Sequence, residues 1–525
     1  MILIITLIST IVAGLVSFFL IKPTYEASTK LFIGKEEGVE QGYNQNDVSM
    51  YQKLMKTYSE AIKTRDLVGK AIKIANSNLT EDEVLEKLTV VTVADTQILQ
   101  IKIKDADPNM AAIMVKAITN EFITRDDFIS TDENFCKNYT GKIFALTSIN
   151  CENSRRSFIV STENLLFLEK EDLSILNSSY KINKTIPIWL KNAINEKRVI
   201  SLNTNYPNFL DVIVYSTPLK WKVNVVGLGD VGATLLTGLK LLGNDVISSL
   251  GIYDKDFKKV NRLNLELSQI LSCDGKENNL QILPLREEDL FNCDMFVFCV
   301  SVGIPPIGKE EKDVRLVQFD GNRKILKVYG QMARDAKFKG IFAVVSDPVD
   351  LLCKSLFIDS NKNKDNPLDF QGLAPEQIRG YGLGVMNGRA AYYSSLREDT
   401  ANYLQEGRAF GPHGEGLIIA NSIENFNESA SDFLTEKAKT ANLEVRATGF
   451  KPYIAPALSS GALSILDTIK GNFHYSSNFI GGTYMGCKNK FLNGCTENET
   501  LDLPLELMNR LKNTYNLLNE LYNKK

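Results

Sequence analysis

Two histidines, His413 and His474, occur in 525 residues. A multi-histidine metal site is therefore excluded, and any proton transfer by imidazole runs through one of the two. His413 lies in Gly411-Pro412-His413-Gly414, a turn whose small neighbours let a small molecule approach the ring. His474, in Gly471-Asn472-Phe473-His474-Tyr475, has no comparable setting and reads as structural. The eight cysteines contain no C-x-x-C pair. That spacing suits neither zinc nor a disulfide framework, so no metal is expected and most of the chain reads as made for a reducing compartment.

A second constellation concerns phosphate. Trp221 to Val226 is a short apolar strand running into Gly227-Leu228-Gly229-Asp230-Val231-Gly232, and an apolar helix follows to Leu242. A second strand ends at Asp254, 22 residues past Gly232. Gly227 permits a tight turn, Gly229 lets backbone approach a pyrophosphate, and Gly232 allows close helix–strand packing. The free N–H groups of the helix start, through Asp230 and Val231, face the phosphates. Asp254 accepts from ribose hydroxyls, which favours NAD over NADP, although Lys255, Lys258 and Lys259 follow it closely. These residues predict a dinucleotide site with NAD as cofactor.

The elements needed to hold such a site are present. Met295 to Val300 is a continuous apolar run, as expected of a strand buried on both faces, and 341–345 is another. A helix is predicted between them, over about 315–336. Hydrophobic residues make up 44% and charged residues 23%, which excludes a disordered or collagen-like chain. Sixty Lys and Arg balance 63 Asp and Glu, so nothing points to nucleic acid as a partner.

From Lys222 to its end the chain resembles the lactate/malate dehydrogenase superfamily. The glycine motif, Val300-Ser301-Val302-Gly303-Ile304-Pro305-Pro306, Arg315-Leu316-Val317-Gln318 with Asn322, Ser346-Asp347-Pro348-Val349-Asp350, Asn387-Gly388-Arg389 and Gly411-Pro412-His413-Gly414-Glu415 carry the likeness. The resemblance implies a Rossmann domain over 221–350, a substrate domain over 351–525, a small 2-hydroxy or 2-oxo acid as substrate, and a homo-oligomer. It casts His413 as the acid/base, Arg389 as the carboxylate-binding cation, and Arg315 as the cation closing over the site behind a lid at 307–314. Asn322 falls among the substrate-binding residues. Pro305 and Pro306 stand near the lid tip where malate enzymes use an arginine, which favours a monocarboxylate. Two positions depart from the pattern. Met386 replaces the aspartate that partners the histidine, leaving Glu415 or Asp350 as substitutes, and Asp347 replaces an asparagine, where its charge would repel a carboxylate substrate.

The N-terminal part is of another kind. Residues 1–21 carry no charge and are long enough, at roughly 31 Å as a helix, to cross a bilayer. No basic n-region precedes them, against a signal peptide and in favour of a missing cytoplasmic lead. A strand over 22–33, a helix over 47–75, a capped helix from Thr80, two strands over 88–103 and a helix from Asp107 follow, forming a small α+β module over 22–123. The Pro23-Thr24-Tyr25-Glu26-Ala27-Ser28 strand, the Asn46-Asp47, Tyr51-Gln52 and Tyr58 helix, and the Asp105-Ala106-Asp107-Pro108 helix start resemble Wzz-type polysaccharide chain-length determinants. That resemblance implies a non-enzymatic regulator of capsule or O-antigen length, normally with a second span that this sequence lacks.

The predicted architecture is thus one transmembrane helix, a small α+β module, an α/β or linker region at 126–215, a doubly wound parallel sheet, and an α+β substrate domain. A single span puts everything after it on one face of the membrane, and the lysines at 22, 30 and 35 favour the cytoplasmic face. Three readings follow: a membrane-attached dehydrogenase, a chain-length regulator carrying a non-catalytic sensor, or a join of two neighbouring reading frames.

Overall fold

The computed structural model describes residues 24–32, 58–59, 62–93, 98–123, 140–179, 186–213, 215–271, 280–302, 314–363, 365 and 367–523, with backbone alone at 66 and 314–317. The expected span at 1–21 lies outside them, as does the expected lid at 307–314 apart from the backbone of Val314. Among the described residues no helix is long and apolar enough to cross a membrane. The chain forms two compact units, divided between Thr140 and Gly141.

The first unit is a three-stranded antiparallel sheet, β1 (Tyr25–Phe32), β2 (Leu88–Thr92) and β3 (Ile98–Asp105), in the order β1-β3-β2. Helices α1 (Arg65–Ile74), α2 (Glu81–Lys87) and α3 (Pro108–Ile123) accompany it. Helix α2 starts where its sequence predicts: Thr80 Oγ1 accepts from Glu83 N, and Thr80 N donates 2.7 Å to Glu83 Oε2. The period-2 pattern of β3 and the helical period of α3 bury Leu99, Ile101, Ile103, Met114 and Ile118 in one core.

The second unit is built on a twelve-stranded sheet. Six parallel strands form one part: β7 (Trp221–Val226), β8 (Ile247–Tyr253), β9 (Gln281–Pro284), β10 (Met295–Phe298), β11 (Ile341–Val344) and β12 (Ile378–Gly380), in the order β9-β8-β7-β10-β11-β12. This is the doubly wound order, with its switch point between β7 and β10. Strands β10 and β11 are buried along their whole length, so apolar runs replace alternation there.

Beyond β12 the sheet turns antiparallel through β15 (His474–Ile480), β16 (Thr483–Leu492) and β17 (Cys495–Asn498). Strand β17 then pairs with β5 (Ser157–Ile159), followed by β6 (Val199–Asn203) and β4 (Ile143–Thr147). A separate hairpin, β13 (Arg408–Phe410) and β14 (Ile418–Ala420), carries His413 in its connection.

The region expected at 126–215 as a small α/β unit or linker therefore supplies, within its described residues, three strands of the main sheet. Two short 3₁₀ turns, at Glu163–Phe167 and Leu173–Leu176, stand where helical spacing suggested one helix. Between the two turns lies buried Glu171, which accepts from both Arg155 N and Arg155 Nε at 2.9 Å.

Flanking helices are α4 (Ile188–Asn195), α5 (Asp230–Leu242), α6 (Phe257–Ser268), α7 (Val314–Asp335), α8 (Val349–Ser360), α9 (Leu383–Ser394), α10 (Glu428–Ala447), α11 (Ser464–Lys470) and α12 (Leu505–Asn523). A π-helical stretch, Pro456–Leu463, leads into α11 and joins the two functional helices. It packs so closely that a Cβ on Gly238 of α5 would meet Ala462 Cβ at 2.7 Å, and one on Gly384 of α9 would meet Ser459 O at 2.6 Å.

Candidate active site

The expected site segments other than His413 follow the carboxyl ends of parallel strands, and His413 comes from the separate β13–β14 hairpin. After β7, Gly227 takes φ +94°, a left-handed conformation. A Cβ there would lie 2.6 Å from Val300 N, and one on Gly232 would lie 2.0 Å from Gly227 O. Gly229, at the start of α5, is exposed and has nothing within 4 Å of its Cβ position. The first and third glycines are thus required by packing, whereas the second faces open space at a helix N-terminus. Those donors and that space suit a pyrophosphate.

Asp254 follows β8. Its Oδ2 accepts from Leu228 N at 2.8 Å and its Oδ1 from Asp256 N at 2.9 Å, while Lys259 Nζ stands 3.6 Å from Oδ2. The carboxylate ties the glycine turn to the second strand and keeps lone pairs for ribose hydroxyls. Asp230 and Val231 occupy the first turn of α5; Asp230 is exposed and paired with Lys451 at 3.0 Å.

After β11 comes Asp347, joined to Pro348 by a cis peptide. His413 Nδ1 lies 3.0 Å from Asp347 Oδ1. The sequence left this carboxylate as an obstacle to substrate and looked to Glu415 or Asp350 as the histidine's partner. Glu415 is exposed, and Asp350 is buried with its Oδ1 accepting from Ser477 Oγ at 2.7 Å. Burial lifts the Asp350 carboxyl to about 7 although the Ser477 hydroxyl favours its charged form. His413 Nε2 is buried and has no hydrogen-bond partner among the described residues.

Arg389 projects from α9 into a half-buried position. One guanidinium nitrogen donates to Ala438 O at 3.1 Å and sits 3.7 Å from Met386 Sδ. Burial holds its pKa below the usual arginine range, opposed by Tyr393 and Asp347. The Asp347 charge therefore reaches both His413 and Arg389.

Asn322 requires a correction. It is wholly buried in α7, where Oδ1 accepts from Val302 N at 2.8 Å and Nδ2 donates to Asp347 O at 2.7 Å. Both amide atoms hold backbone, so Asn322 braces the loops after β10 and β11 and is not placed to bind substrate. Arg315 falls in the first turn of α7, and its side chain lies outside the described residues. His474 is structural: it is buried, its Nε2 lies 2.9 Å from Thr468 Oγ1 and 3.1 Å from Ser476 Oγ, and burial lowers its pKa to about 3. Among the described residues no cluster of histidine, cysteine and carboxylate suits a metal ion.

Comparison with known proteins separates the same two parts. Residues 1–74 match the family described as chain length determinant protein, and residues 221–367 match lactate/malate dehydrogenase, NAD binding domain. The probable capsular polysaccharide biosynthesis protein YwqC of Bacillus subtilis is 30% identical over 122 residues, 23% of this chain and 49% of that protein. L-lactate dehydrogenase 2 of Lactobacillus acidophilus is 28% identical over 211 residues, 40% of this chain and 60% of that protein. The chain thus spans about half to three-fifths of the curated relatives it matches. Among solved structures, the minor L-lactate dehydrogenase of Enterococcus mundtii overlays with a TM-score of 0.49 at 18% identity, covering 58% of this chain and 99% of that one. The chain is thus similar over its first 74 residues to chain length determinant proteins, and over residues 221–367 to the NAD binding domain of lactate/malate dehydrogenases.

Proposed function

We propose that the chain is an NAD-dependent oxidoreductase acting on the CH–OH group of a small 2-hydroxy acid, attached to a membrane through residues 1–21. The observation that carries this reading is His413, whose Nδ1 is held by Asp347 while Nε2 is buried and unpartnered, on the same sheet edge as the open glycine turn. With Nδ1 protonated toward the carboxylate, Nε2 keeps a lone pair for the substrate hydroxyl proton, and in the reverse direction it returns that proton. Arg389 holds the substrate carboxylate through the guanidinium donors that Ala438 leaves free. Arg315, at the start of α7, takes the role that the resemblance gives it, the second cation of the site. Gly229, the first turn of α5 and Asp254 would hold NAD, which when bound supplies the hydride acceptor. The lid-tip prolines favour a monocarboxylate, and the dehydrogenase-like unit belongs on the cytoplasmic side, where NAD is found. A homo-oligomer is the expected assembly.

The test is NADH oxidation by the detergent-solubilised full chain against pyruvate, oxaloacetate and other 2-oxo acids, beside His413→Asn. Turnover that the variant loses supports the reading. NADH binding without turnover on any acid moves it to a non-catalytic sensor joined to a chain-length regulator, the alternative that Met386 favours. A reporter fused at residue 130 must face the cytoplasm; an external signal overturns the placement.

A further inference from the structure

Asp347 is the one carboxylate within hydrogen-bond distance of His413 among the described residues. Its loop is held from several sides. Asn322 Nδ2 donates to the Asp347 carbonyl at 2.7 Å, Ser346 Oγ donates to Val300 O at 2.6 Å, and Asn322 Oδ1 accepts from Val302 N at 2.8 Å. Opposite lies α9. A Cβ on Gly382, at its start, would be 3.1 Å from His413 Cβ, and Met386 stands one turn further along. Met386 is buried in an apolar cluster with Leu383, Ala390 and Tyr393 and offers the imidazole no charge.

We propose that Asp347 is the positioning residue for His413, orienting its ring through Nδ1, so that the carboxylate gained at 347 compensates for the one absent at 386. The proposal rests on the oxidoreductase reading for its catalytic consequence, although the contact itself does not. A carboxylate on Nδ1 selects the tautomer with hydrogen on that nitrogen, which leaves Nε2 as the basic atom. The same charge supports the half-buried Arg389 guanidinium. One side chain therefore orders the proton-transfer group and favours the charge of the carboxylate-binding group, and the histidine's partner has moved from a helix to the loop after β11.

Two measurements on the full chain in detergent separate this proposal from the reading beneath it. With ¹⁵N-histidine labelling only His413 and His474 contribute, and His474 is already fixed by Thr468, Ser476 and the Asn472 carbonyl. Neutral His413 is expected to carry its proton on Nδ1 in the wild type and to shift toward Nε2 in Asp347→Ala. Unchanged ¹⁵N shifts overturn the proposal whether or not the protein turns over.

In kinetics, Asp347→Asn is expected to lower kcat by about 100-fold or more with KM changed less than threefold. Adding Met386→Asp in that background should recover at least tenfold of the loss. A drop in KM-linked binding alone, or no recovery by Met386→Asp, overturns it. If Asp347→Ala does not fold, the Asn variant and its rescue decide the matter. A silent wild type whose tautomer still follows Asp347 sinks the oxidoreductase reading and leaves the positioning contact standing.

Discussion

Arg156 Nε lies 2.7 Å from Glu376 Oε1, both side chains buried, and so joins two positions 220 residues apart. Ser157 Oγ donates to the same oxygen at 2.9 Å. Arg156 precedes β5 and Glu376 stands in the turn before β12, which makes the pair a clamp between the segment at 141–213 and the dinucleotide-binding half. Replacing either partner alone leaves a buried charge without its counterion. Arg156→Ala or Glu376→Ala is expected to cost about 3–5 kcal/mol. Both tryptophans, Trp189 and Trp221, lie in this unit, so a urea titration followed by tryptophan fluorescence reads the loss directly. A midpoint equal to the wild type's would remove the clamp from the account.

The three glycines of the turn after β7 should separate stability from cofactor affinity. Gly227→Ala forces a side chain into φ +94° and against Val300, and Gly232→Ala drives one into the Gly227 carbonyl. Each is expected to destabilise by about 2 kcal/mol or more. Gly229→Ala meets nothing within 4 Å and should melt like the wild type while binding NADH at least tenfold more weakly. Isothermal titration with NADH checks this; wild-type affinity in Gly229→Ala would mean that the open space is not the pyrophosphate site.

Asp350 gives the unit a pH signature. Its carboxyl, ordinarily at 3.8, is raised to about 7 by burial, so folding takes up a proton between those values. The stability this contributes is present at low pH and is lost as pH rises through about 7. Asp350→Asn keeps an acceptor for Ser477 and removes the charge. It should match the wild type near pH 4 and exceed it above pH 7 by up to about 4 kcal/mol. Urea midpoints at pH 5 and pH 8 decide, and parallel curves for the two proteins would contradict the buried, proton-binding carboxylate.

Much of this was legible before any coordinates. The strand-turn-helix around Gly227 to Gly232, the buried runs at 295–298 and 341–344, and the capped helix at Thr80 declare themselves through spacing of a few residues, because backbone geometry and capping are local. The candidate histidine and arginine were found in the same way, from small-residue turns and a motif resemblance. Three readings failed. Asn322 was taken for a substrate ligand because its type suits one, yet its amide is wholly engaged by the backbone of two other loops. Helical spacing over residues 163–177 suggested one helix, where the chain forms two short 3₁₀ turns on either side of the buried Glu171. The region at 126–215 read as a small α/β unit or linker because its strands are short, and the partner that ties them into the main sheet, β17, lies far away in the chain.

The histidine's partner shows where local pattern stops. Types and spacings along one strand-helix-strand stretch sufficed for the dinucleotide turn and the acid at the end of β8, and a turn of small residues sufficed to single out His413 as a candidate, since each depends on backbone conformation that neighbouring residues dictate. Which carboxylate meets that ring depended on bringing the connection between β13 and β14 against the loop after β11, 66 residues away. Register in a twelve-stranded sheet and the packing of α9 against a π-helical turn set that meeting, and neither leaves a periodic trace in the chain.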